Sequence, residues 1–275
     1  MRDAKIIKAM DMAGSVPTAL FVGPMKAGTS WIHEYLAWRG DVCLPKGVKE
    51  TFFFDRYSGR GAEWYERRVC HCVLGVHQQK IEVAPSLFHC SNAPAHVRRV
   101  LGSVPIIFTL RDPIERSWSH YLHLRRKGYT NLQLREAVKK FPEIVAASQY
   151  EAQMARWRSA LPESVTTVLH LEELKANPEN YARRLCNALC LAPLSIPTEL
   201  CVARNVGGVA PSFRFARLGR LVATSLRSAG FYGAVNFGKA LGLKNVFFGG
   251  GTKGDSKLRL SPVDAEWLKE RIASE

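Results

Sequence analysis

The sequence predicts a three-layer α/β fold, in which a central parallel β-sheet is covered by helices on both faces. Short apolar runs alternate along the chain with longer amphipathic segments, and this order is typical of parallel strands joined by crossover helices. The 275 residues are 47% hydrophobic and 23% charged, an ordinary globular composition with enough apolar residues for a large core. Disordered, collagen-like and coiled-coil structures are therefore excluded.

The elements follow from these runs and from the signals that flank them. Apolar runs predict strands over residues 18–22, 80–84, 104–110 and 165–171. Amphipathic segments predict helices over residues 30–38, 93–101, 113–126, 131–140, 149–160 and 178–190. Pro113 suits the first turn of its helix, and Ser261 is a candidate cap for a final helix. Because parallel sheets bind ligands beyond the carboxyl ends of their strands, the loops after Val22 and Leu110 are the first to consider.

An excess of positive charge indicates an anionic partner. The chain has 39 Lys and Arg against 24 Asp and Glu, a net charge of +15. This surplus suits nucleic acid, an acidic membrane face or a multiply phosphorylated small molecule, and it does not distinguish them. Residues 200–254 contain no Asp or Glu. Partial amphipathic spacing over 213–226 leaves peripheral contact with an anionic membrane open.

The sequence favours a cytoplasmic protein without a metal. It has no apolar run long enough to span a membrane, and its first twenty residues lack the continuous apolar segment of a secretory signal. Seven cysteines are an odd number in a chain too long to need disulfides, so we expect reduced, mostly buried thiols. Cys70 and Cys72 with Cys90 lack the paired spacing of a zinc site.

One candidate anion site is the segment GPMKAGTS at residues 23–30, called here the anion loop. A predicted strand, a tight glycine-flanked loop and a helix start leave backbone N–H groups and the helix dipole free to favour an anion. A loop for nucleoside triphosphates carries lysine directly after its second glycine. Here that position is Thr29, and the lysine is Lys26. A simple Gly-Pro turn before a capped helix is the alternative.

A second candidate follows the strand over 104–110, in the segment RDPIERSWSHY at residues 111–121. Arg111 stands at the carboxyl end of that strand, and Ser119 lies two turns into the next helix. A guanidinium and a hydroxyl so placed can bind one phosphate, although Arg111 can instead pair with Asp112 or Glu115. Two anion sites on adjacent loops suggest a nucleotide phosphorylated at two separate positions.

At these residues the sequence resembles the sulfotransferases that use 3′-phosphoadenosine-5′-phosphosulfate. GPMKAGTSW resembles their 5′-phosphosulfate loop, and RDPIERSWSHY resembles their 3′-phosphate motif. The segment KETFFFD at residues 49–55 resembles the K-E-x-x-F-F-D pattern of the heparan-sulfate and bacterial carbohydrate branch. The resemblance implies a P-loop NTPase-like sulfotransferase fold and a single domain over 1–275. Its core is about 18–191, and the basic region of about 200–275 completes the cofactor and acceptor site.

The resemblance also implies roles for individual residues. Cofactor binding falls to Lys26, Ala27, Gly28, Thr29, Ser30 and Trp31 around the 5′-phosphosulfate, to Arg111 and Ser119 at the 3′-phosphate, and to Lys253 and Gly254, which close over the nucleotide. Catalysis falls to Glu50 as base, to Lys26 at the leaving phosphate, and to His123, which matches a histidine near the reacting centre of N-sulfating members. The product nucleotide is 3′,5′-adenosine bisphosphate.

The sequence departs from the branch on the acceptor side. Phe52 stands where histidine is usual, Val83 replaces a lysine in the segment EVAP at 82–85, and Asp255 replaces an arginine. The acceptor is therefore left as a carbohydrate, a lipid or a small molecule, attacked through a hydroxyl or an amine. The oligomeric state is not predicted.

Several alternatives remain open from the residues alone. A P-loop-type nucleotide kinase shares the fold, and a non-enzymatic polyanion or nucleic-acid binder suits the charge, although no nucleic-acid motif is present. Glu50 can be a surface ion-pair partner of Lys49 or Lys46. His123 can belong to a solvated basic face with Arg125 and Arg126.

Overall fold

The computed structural model describes residues 17–69, 79–201 and 258–274. Lys253 and Gly254, the basic segment before them, and Cys70 and Cys72 lie outside the described residues, so the roles predicted for them stay predictions.

A five-stranded parallel sheet forms the centre of the fold, as predicted. Its spatial order is β2-β3-β1-β4-β5. The strands are β1 (Ala19–Gly23), β2 (Val42–Cys43), β3 (Gln79–Val83), β4 (Ile106–Leu110) and β5 (Thr166–His170). Neighbouring strands in this order pair in parallel. The two-residue strand β2 was not predicted, because a run of two residues carries no periodic signal.

Helices connect the strands. The α-helices are α1 (Thr29–Arg39), α2 (Ala62–Val69), α3 (Ala93–Leu101), α4 (Pro113–Arg126), α5 (Leu134–Lys140), α6 (Glu143–Ala146), α7 (Tyr150–Ala160), α8 (Leu171–Ala176), α9 (Pro178–Ala188), α10 (Thr198–Cys201) and α11 (Pro262–Ala273). A π-helical turn (Phe53–Tyr57) and two 3-10 turns (Ser58–Arg60 and Pro85–Leu87) lie between them. Each predicted helix is present within a few residues of its expected ends.

Side-chain caps explain several helix starts. The Asp112 carboxylate accepts the backbone N–H of Glu115 at 2.8 Å, directly before Pro113. The predicted cap Ser261 accepts the backbone N–H of Asp264 at 3.1 Å. In both cases a short polar side chain satisfies a first-turn donor that has no partner inside the helix.

Alternating side chains of the strands bury both faces of the sheet. Phe21 and Ile107 belong to the cluster that α1 and α9 cover. Phe108, one residue further along β4, points the other way because strand side chains alternate. Its ring packs edge-on against Phe88 at 5.8 Å, and Trp157 of α7 donates to the Phe88 carbonyl at 3.2 Å. Helices therefore lie on both faces, as the three-layer prediction requires.

The described residues fall into two compact units, divided at 111/112 and at 149/150. The first contains the whole sheet. The second contains α4, α5, α6 and α11, and has a core of its own in which Leu268 is completely buried. Arg116 is also fully buried there and donates to the Ser148 hydroxyl. The prediction of one domain over 1–275 stays a prediction.

The cysteines differ from expectation at one position. Cys43 is disulfide-bonded, so the expectation of uniformly reduced thiols is wrong there, whereas Cys90, Cys186 and Cys190 are free. In the described part of the chain no helix is long and apolar enough to cross a membrane. Within the same residues no group of three or more His, Cys, Asp or Glu is arranged to hold a metal ion. Localisation stays a prediction.

The sheet order decides which loops meet. β1 pairs with β3 on one side and with β4 on the other. Because all of these strands are parallel, the segments after them leave the sheet at the same edge. The anion loop, the segment that begins at Ala84 and the residue Arg111 therefore share that edge.

Candidate active site

The anion loop is shaped by glycines that no other residue can replace without strain. Gly28 immediately precedes α1 with φ +90°, and a Cβ there would lie 2.9 Å from Cδ1 of Leu171. Gly28 supplies no side-chain cap to α1, so the helix dipole and the first-turn backbone N–H groups favour an anion. Lys26 also has a positive φ, 75°, which is uncommon for a residue with a side chain. Strain of this kind is typical of binding loops.

The anion loop rests directly on the segment that follows β3. A Cβ added to Gly23, whose φ is +105°, would lie 2.6 Å from Cα and 2.9 Å from the carbonyl oxygen of Pro85. The backbones after β1 and β3 are thus in direct contact, and only glycine permits this approach.

Lys49 links the anion loop to the segment that carries the predicted base. Its ammonium donates to Oγ1 of Thr29 at 3.1 Å and to Oγ of Ser30 at 3.3 Å. Burial lowers the pKa of Lys49 to about 8, although the nearby carboxylates of Glu50 and Glu34 act in the opposite direction. From the sequence, Lys49 was predicted only as a possible ion-pair partner of Glu50 and as the first residue of the segment KETFFFD. Its position directly before the candidate base was the available signal.

Glu50 is held at the carboxyl end of β3 by a serine. Its Oε1 accepts the backbone N–H of Ser86 at 2.9 Å and the Ser86 hydroxyl at 2.5 Å. Burial raises the pKa of Glu50 to about 7, and the carboxylates of Asp55 and Glu82 add to the rise, while the Ser86 hydrogen bonds oppose it. A carboxylate with this pKa can accept a proton near neutral pH. Glu50 therefore has defined partners in the interior, unlike a surface ion-pair residue.

A second carboxylate fixes the backbone next to Glu50. Glu82 is 1% exposed and accepts the Thr51 backbone N–H at 2.7 Å and the Tyr65 hydroxyl at 2.7 Å. Burial raises its pKa, and these hydrogen bonds oppose the shift. Sequence reasoning missed this role. The signal was an acidic residue inside the apolar strand IEV, since carboxylates are seldom buried without a structural or functional reason.

The residues after Glu50 are strained and packed. Phe52 has a left-handed backbone, φ 57°, which is an outlier for a bulky residue. Phe53 and Phe54 are buried core residues. Burial raises the pKa of Asp55, while Ser86 and Arg56 oppose the change. Three carboxylates thus lie close enough to influence one another around Ser86.

The remaining predicted cofactor residues divide between the two units. Arg111 follows β4, the neighbour of β1, and its carbonyl accepts the Tyr150 hydroxyl at 2.7 Å. Ser119 and His123 lie on α4 in the second unit, where His123 Nδ1 is 3.3 Å from a guanidinium nitrogen of Arg126. Their roles at the 3′-phosphate and near the reacting centre stay predictions.

Two predicted residues of the anion loop region are committed to packing through their side chains. Ala27 is completely buried. The Trp31 indole stacks on Tyr35, with ring centroids 5.3 Å apart, and its Nε1 donates to the Leu200 carbonyl at 2.8 Å. Any contact with a nucleotide at these positions is therefore expected from the backbone.

Comparison with known proteins supplies independent information. A family model described as "Sulfotransferase family" matches residues 91–193. The membrane-associated sulfotransferase kil1 of Dictyostelium discoideum is 30% identical over 107 residues, which cover 38% of this chain and 22% of that protein. Heparan sulfate glucosamine 3-O-sulfotransferase 3B1 of Mus musculus is 26% identical over 190 residues, 65% of this chain and 48% of that protein. The chain thus matches half or less of the length of these relatives.

A solved structure shares the fold. The sulfotransferase from Alicyclobacillus acidocaldarius superimposes with a TM-score of 0.56 at 21% sequence identity, over 67% of this chain and 88% of that chain. The matched segment at 91–193 includes β4, the strand that leads to Arg111, and the sheet around it has the expected parallel order. The family match, the sulfotransferase relatives and the common fold together show that this chain is similar to sulfotransferases.

Proposed function

We propose that this chain transfers the sulfuryl group of 3′-phosphoadenosine-5′-phosphosulfate to a hydroxyl or amine of an acceptor, with Glu50 as the base. One observation carries the proposal. Lys49 binds the hydroxyls of the anion loop, and the next residue is a partly buried carboxylate with a pKa near neutrality. A single segment therefore joins the site for an anionic donor to the proton acceptor. The similarity to sulfotransferases favours this reaction over the nucleotide kinase alternative.

By analogy with phosphoryl transfer, the protein contributes to this reaction mainly by positioning the reactants and by stabilising the charge that develops. The donor supplies a sulfuryl group activated by its bond to a phosphate. In this proposal the anion loop and Lys26 bind the 5′-phosphate, where negative charge accumulates as it leaves, and Arg111 with Ser119 binds the 3′-phosphate. The positive φ values of the loop and its uncapped helix start fit this anion.

Glu50 suits the removal of the acceptor proton. Its Ser86 hydrogen bonds fix the Oε1 oxygen, which leaves Oε2 to face an acceptor. Because its pKa is raised to about 7, the carboxylate is a stronger base than an exposed glutamate and is still ionised in a large fraction of molecules at neutral pH.

We propose a carbohydrate as the acceptor. The name of the mouse relative gives heparan sulfate glucosamine as its substrate. In this chain the segment after Glu50 presents guanidinium groups over aromatic rings, a surface suited to sugar faces and their anionic substituents. The pairs are Arg56 over Phe52 at 4.4 Å, Arg60 over Tyr57 at 4.7 Å, and Arg60 and Arg68 over Trp64 at 5.2 and 5.1 Å.

Calorimetry with 3′,5′-adenosine bisphosphate and with ADP tests the donor. We expect a clear preference for the bisphosphate, weakened about tenfold or more by Lys26→Ala, because a charge-assisted contact to phosphate is lost. Lys46→Ala is the matched control, since Lys46 is exposed on a nearby segment. Equal affinity for the two nucleotides would contradict the proposal.

Glu50→Gln tests the base. The amide retains the shape of the side chain and an oxygen for the Ser86 donors, so we expect normal folding and nucleotide binding with transfer reduced at least 100-fold. Turnover is measured with a panel of glycan, lipid and small alcohol acceptors. Unchanged turnover of Glu50→Gln would show that Glu50 is not the base. For the wild-type protein, transfer only to non-carbohydrate acceptors would contradict the proposal of a carbohydrate acceptor.

A further inference from the structure

One lysine lies between the anion loop and the base and belongs to neither of the predicted phosphate motifs. Lys49 contacts Thr29 and Ser30 through its ammonium, and the peptide bond joins it to Glu50. During transfer the sulfuryl group has to lie between the donor phosphate and the acceptor atom that loses its proton to the base. The ammonium of Lys49 lies at the hydroxyls of the anion loop, and the charge of Glu50 influences its pKa.

We propose that Lys49 is a catalytic residue that binds the sulfuryl group itself. The inference rests on the proposed function and adds to it a residue that holds the group in transit. When the donor occupies the anion loop, the Lys49 ammonium exchanges its hydroxyl partners for the non-bridging sulfuryl oxygens. Lys26 then serves the leaving phosphate, and Lys49 serves the transferring group.

The present partners of Lys49 make this exchange favourable. Its ammonium donates hydrogen bonds to two neutral hydroxyls, and hydrogen bonds from an ammonium to anionic oxygens are stronger than those to neutral ones. His33 also faces Lys49. Burial, together with the Lys49 charge, lowers the pKa of His33 to about 4, so the imidazole is neutral near pH 7 and does not repel the ammonium.

The step balances without any further reactant. A bond forms from the acceptor oxygen or nitrogen to sulfur, and the bond from sulfur to the bridging phosphate oxygen breaks. The electron pair of the broken bond stays on the 5′-phosphate, and the acceptor proton passes to Glu50. Lys49 donates hydrogen bonds throughout and neither gains nor loses a proton, so its contribution is stabilisation of charge in a partly buried site.

The test compares two nucleotides that differ by the sulfuryl group. In a Glu50→Gln background, which prevents turnover, Lys49→Met is expected to change the affinity for 3′,5′-adenosine bisphosphate by less than about twofold. The affinity for 3′-phosphoadenosine-5′-phosphosulfate is expected to fall about tenfold or more. With Glu50 intact, Lys49→Met should lower kcat about 100-fold and Lys49→Arg should restore part of it. Lys46→Met is the control.

The outcomes separate this inference from the proposed function. Equal losses for both nucleotides would make Lys49 a phosphate ligand, and no loss for either with normal kcat would give it no role; both results overturn the inference. A Glu50→Gln protein that does not prefer the bisphosphate over ADP would instead contradict the proposed function. Thermal unfolding checks each variant, and Lys49→Gln replaces Lys49→Met if the latter does not fold.

Discussion

At the scale of single residues, the buried carboxylate of Glu82 fixes the backbone next to Glu50, the proposed base. Its two hydrogen bonds fix the Thr51 backbone and the Tyr65 hydroxyl, and Thr51 follows Glu50 in the chain. Glu82 is therefore a positioning residue. Burying a carboxylate is costly unless hydrogen bonds compensate it, and both oxygens of Glu82 have a partner.

Substitution of Glu82 by leucine is expected to lower the free energy of unfolding by about 2–4 kcal/mol, because a buried N–H and a buried hydroxyl lose their acceptor. Glu82→Gln is the matched control, since its oxygen still accepts from Thr51. Chemical denaturation followed by circular dichroism measures both. Equal stability of the leucine variant and the wild type would contradict this account.

The glutamine variant also has a pH signature. The folded pKa of Glu82 is raised above the usual 4.5, so the folded protein binds this proton more tightly than the unfolded chain does. Between these two pKa values, wild-type stability falls as the pH rises. We expect the stability of Glu82→Gln relative to wild type to increase with pH over that window. A difference that does not depend on pH would show that Glu82 titrates normally.

A narrow pH optimum is expected for kcat/KM. Glu50 accepts a proton only as a carboxylate, above its pKa of about 7, and Lys49 is a cation only below its pKa of about 8. Because the two groups interact, the apparent pKa values of the acid and basic limbs of the pH profile belong to the pair and not to either residue alone. Activity should rise up to about pH 7 and fall above about pH 8.

Removing the lysine provides the control for this profile. In Lys49→Met the basic limb should disappear. The acid limb should move upward, because the ammonium no longer favours the Glu50 carboxylate. A wild-type profile that is flat from pH 6 to 9 would contradict the assignment of both limbs.

Residue-scale prediction from the sequence was uneven for physical reasons. Glu50 and Lys26 could be named as candidates because each stands inside a recognisable sequence pattern. Ser86 and Glu82 act through distances of 36 and 31 positions along the chain, and no local pattern encodes such a partner. Lys49 stands beside Glu50 in the sequence, but the direction in which its side chain points depends on how its segment packs against α1.

At the scale of elements, the sequence predicted what periodicity and turn chemistry determine. The strands β1 and β4 are apolar runs, and helices such as α3 and α4 have regular patterns with a proline in the first turn. The π-helical turn at Phe53–Tyr57 and the helix α2 were not predicted, because the first is irregular and the second is only eight residues long, half of them charged. Tertiary packing, more than local propensity, decides such segments.

The start of α1 offers an element-scale prediction. Gly28→Ala combines a left-handed backbone with a Cβ 2.9 Å from Leu171, so we expect a loss of about 1–3 kcal/mol in unfolding free energy and weaker binding of 3′,5′-adenosine bisphosphate. Gly40→Ala, at the other end of the helix, is the matched control. Its φ is +76° with nothing within 4 Å of the added Cβ, so it measures the backbone cost alone. Equal losses would show that the contact with Leu171 is unimportant.

At the scale of the whole molecule, charge and composition predicted an anionic ligand without naming it. The net charge of +15 creates a field that attracts a nucleotide with several negative charges. The affinity for 3′,5′-adenosine bisphosphate should therefore fall several-fold between about 50 mM and 500 mM salt, because the Debye length shortens from roughly 14 Å to 4 Å over this range. Titration at constant pH measures the effect. An affinity that does not change with salt would assign binding to local contacts only.

The division into two units was beyond the sequence. The second unit is assembled from residues 112–149 and the distant helix α11, and only packing reveals that Leu268 completes the core around Tyr121 and Leu124. The fold class, in contrast, followed from the simple alternation of strands and helices.

The close approach of Gly23 to Pro85 brings the anion loop into contact with the segment that holds Glu50. Pro85 precedes Ser86, the residue that grips Glu50, and Gly23 begins the loop that contains Lys26. With no room for even a methyl group between them, neither loop can drift without pushing the other. In the proposed reaction, this contact between the two backbone segments sets the spacing between the donor at the anion loop and the Glu50 oxygen that accepts the proton.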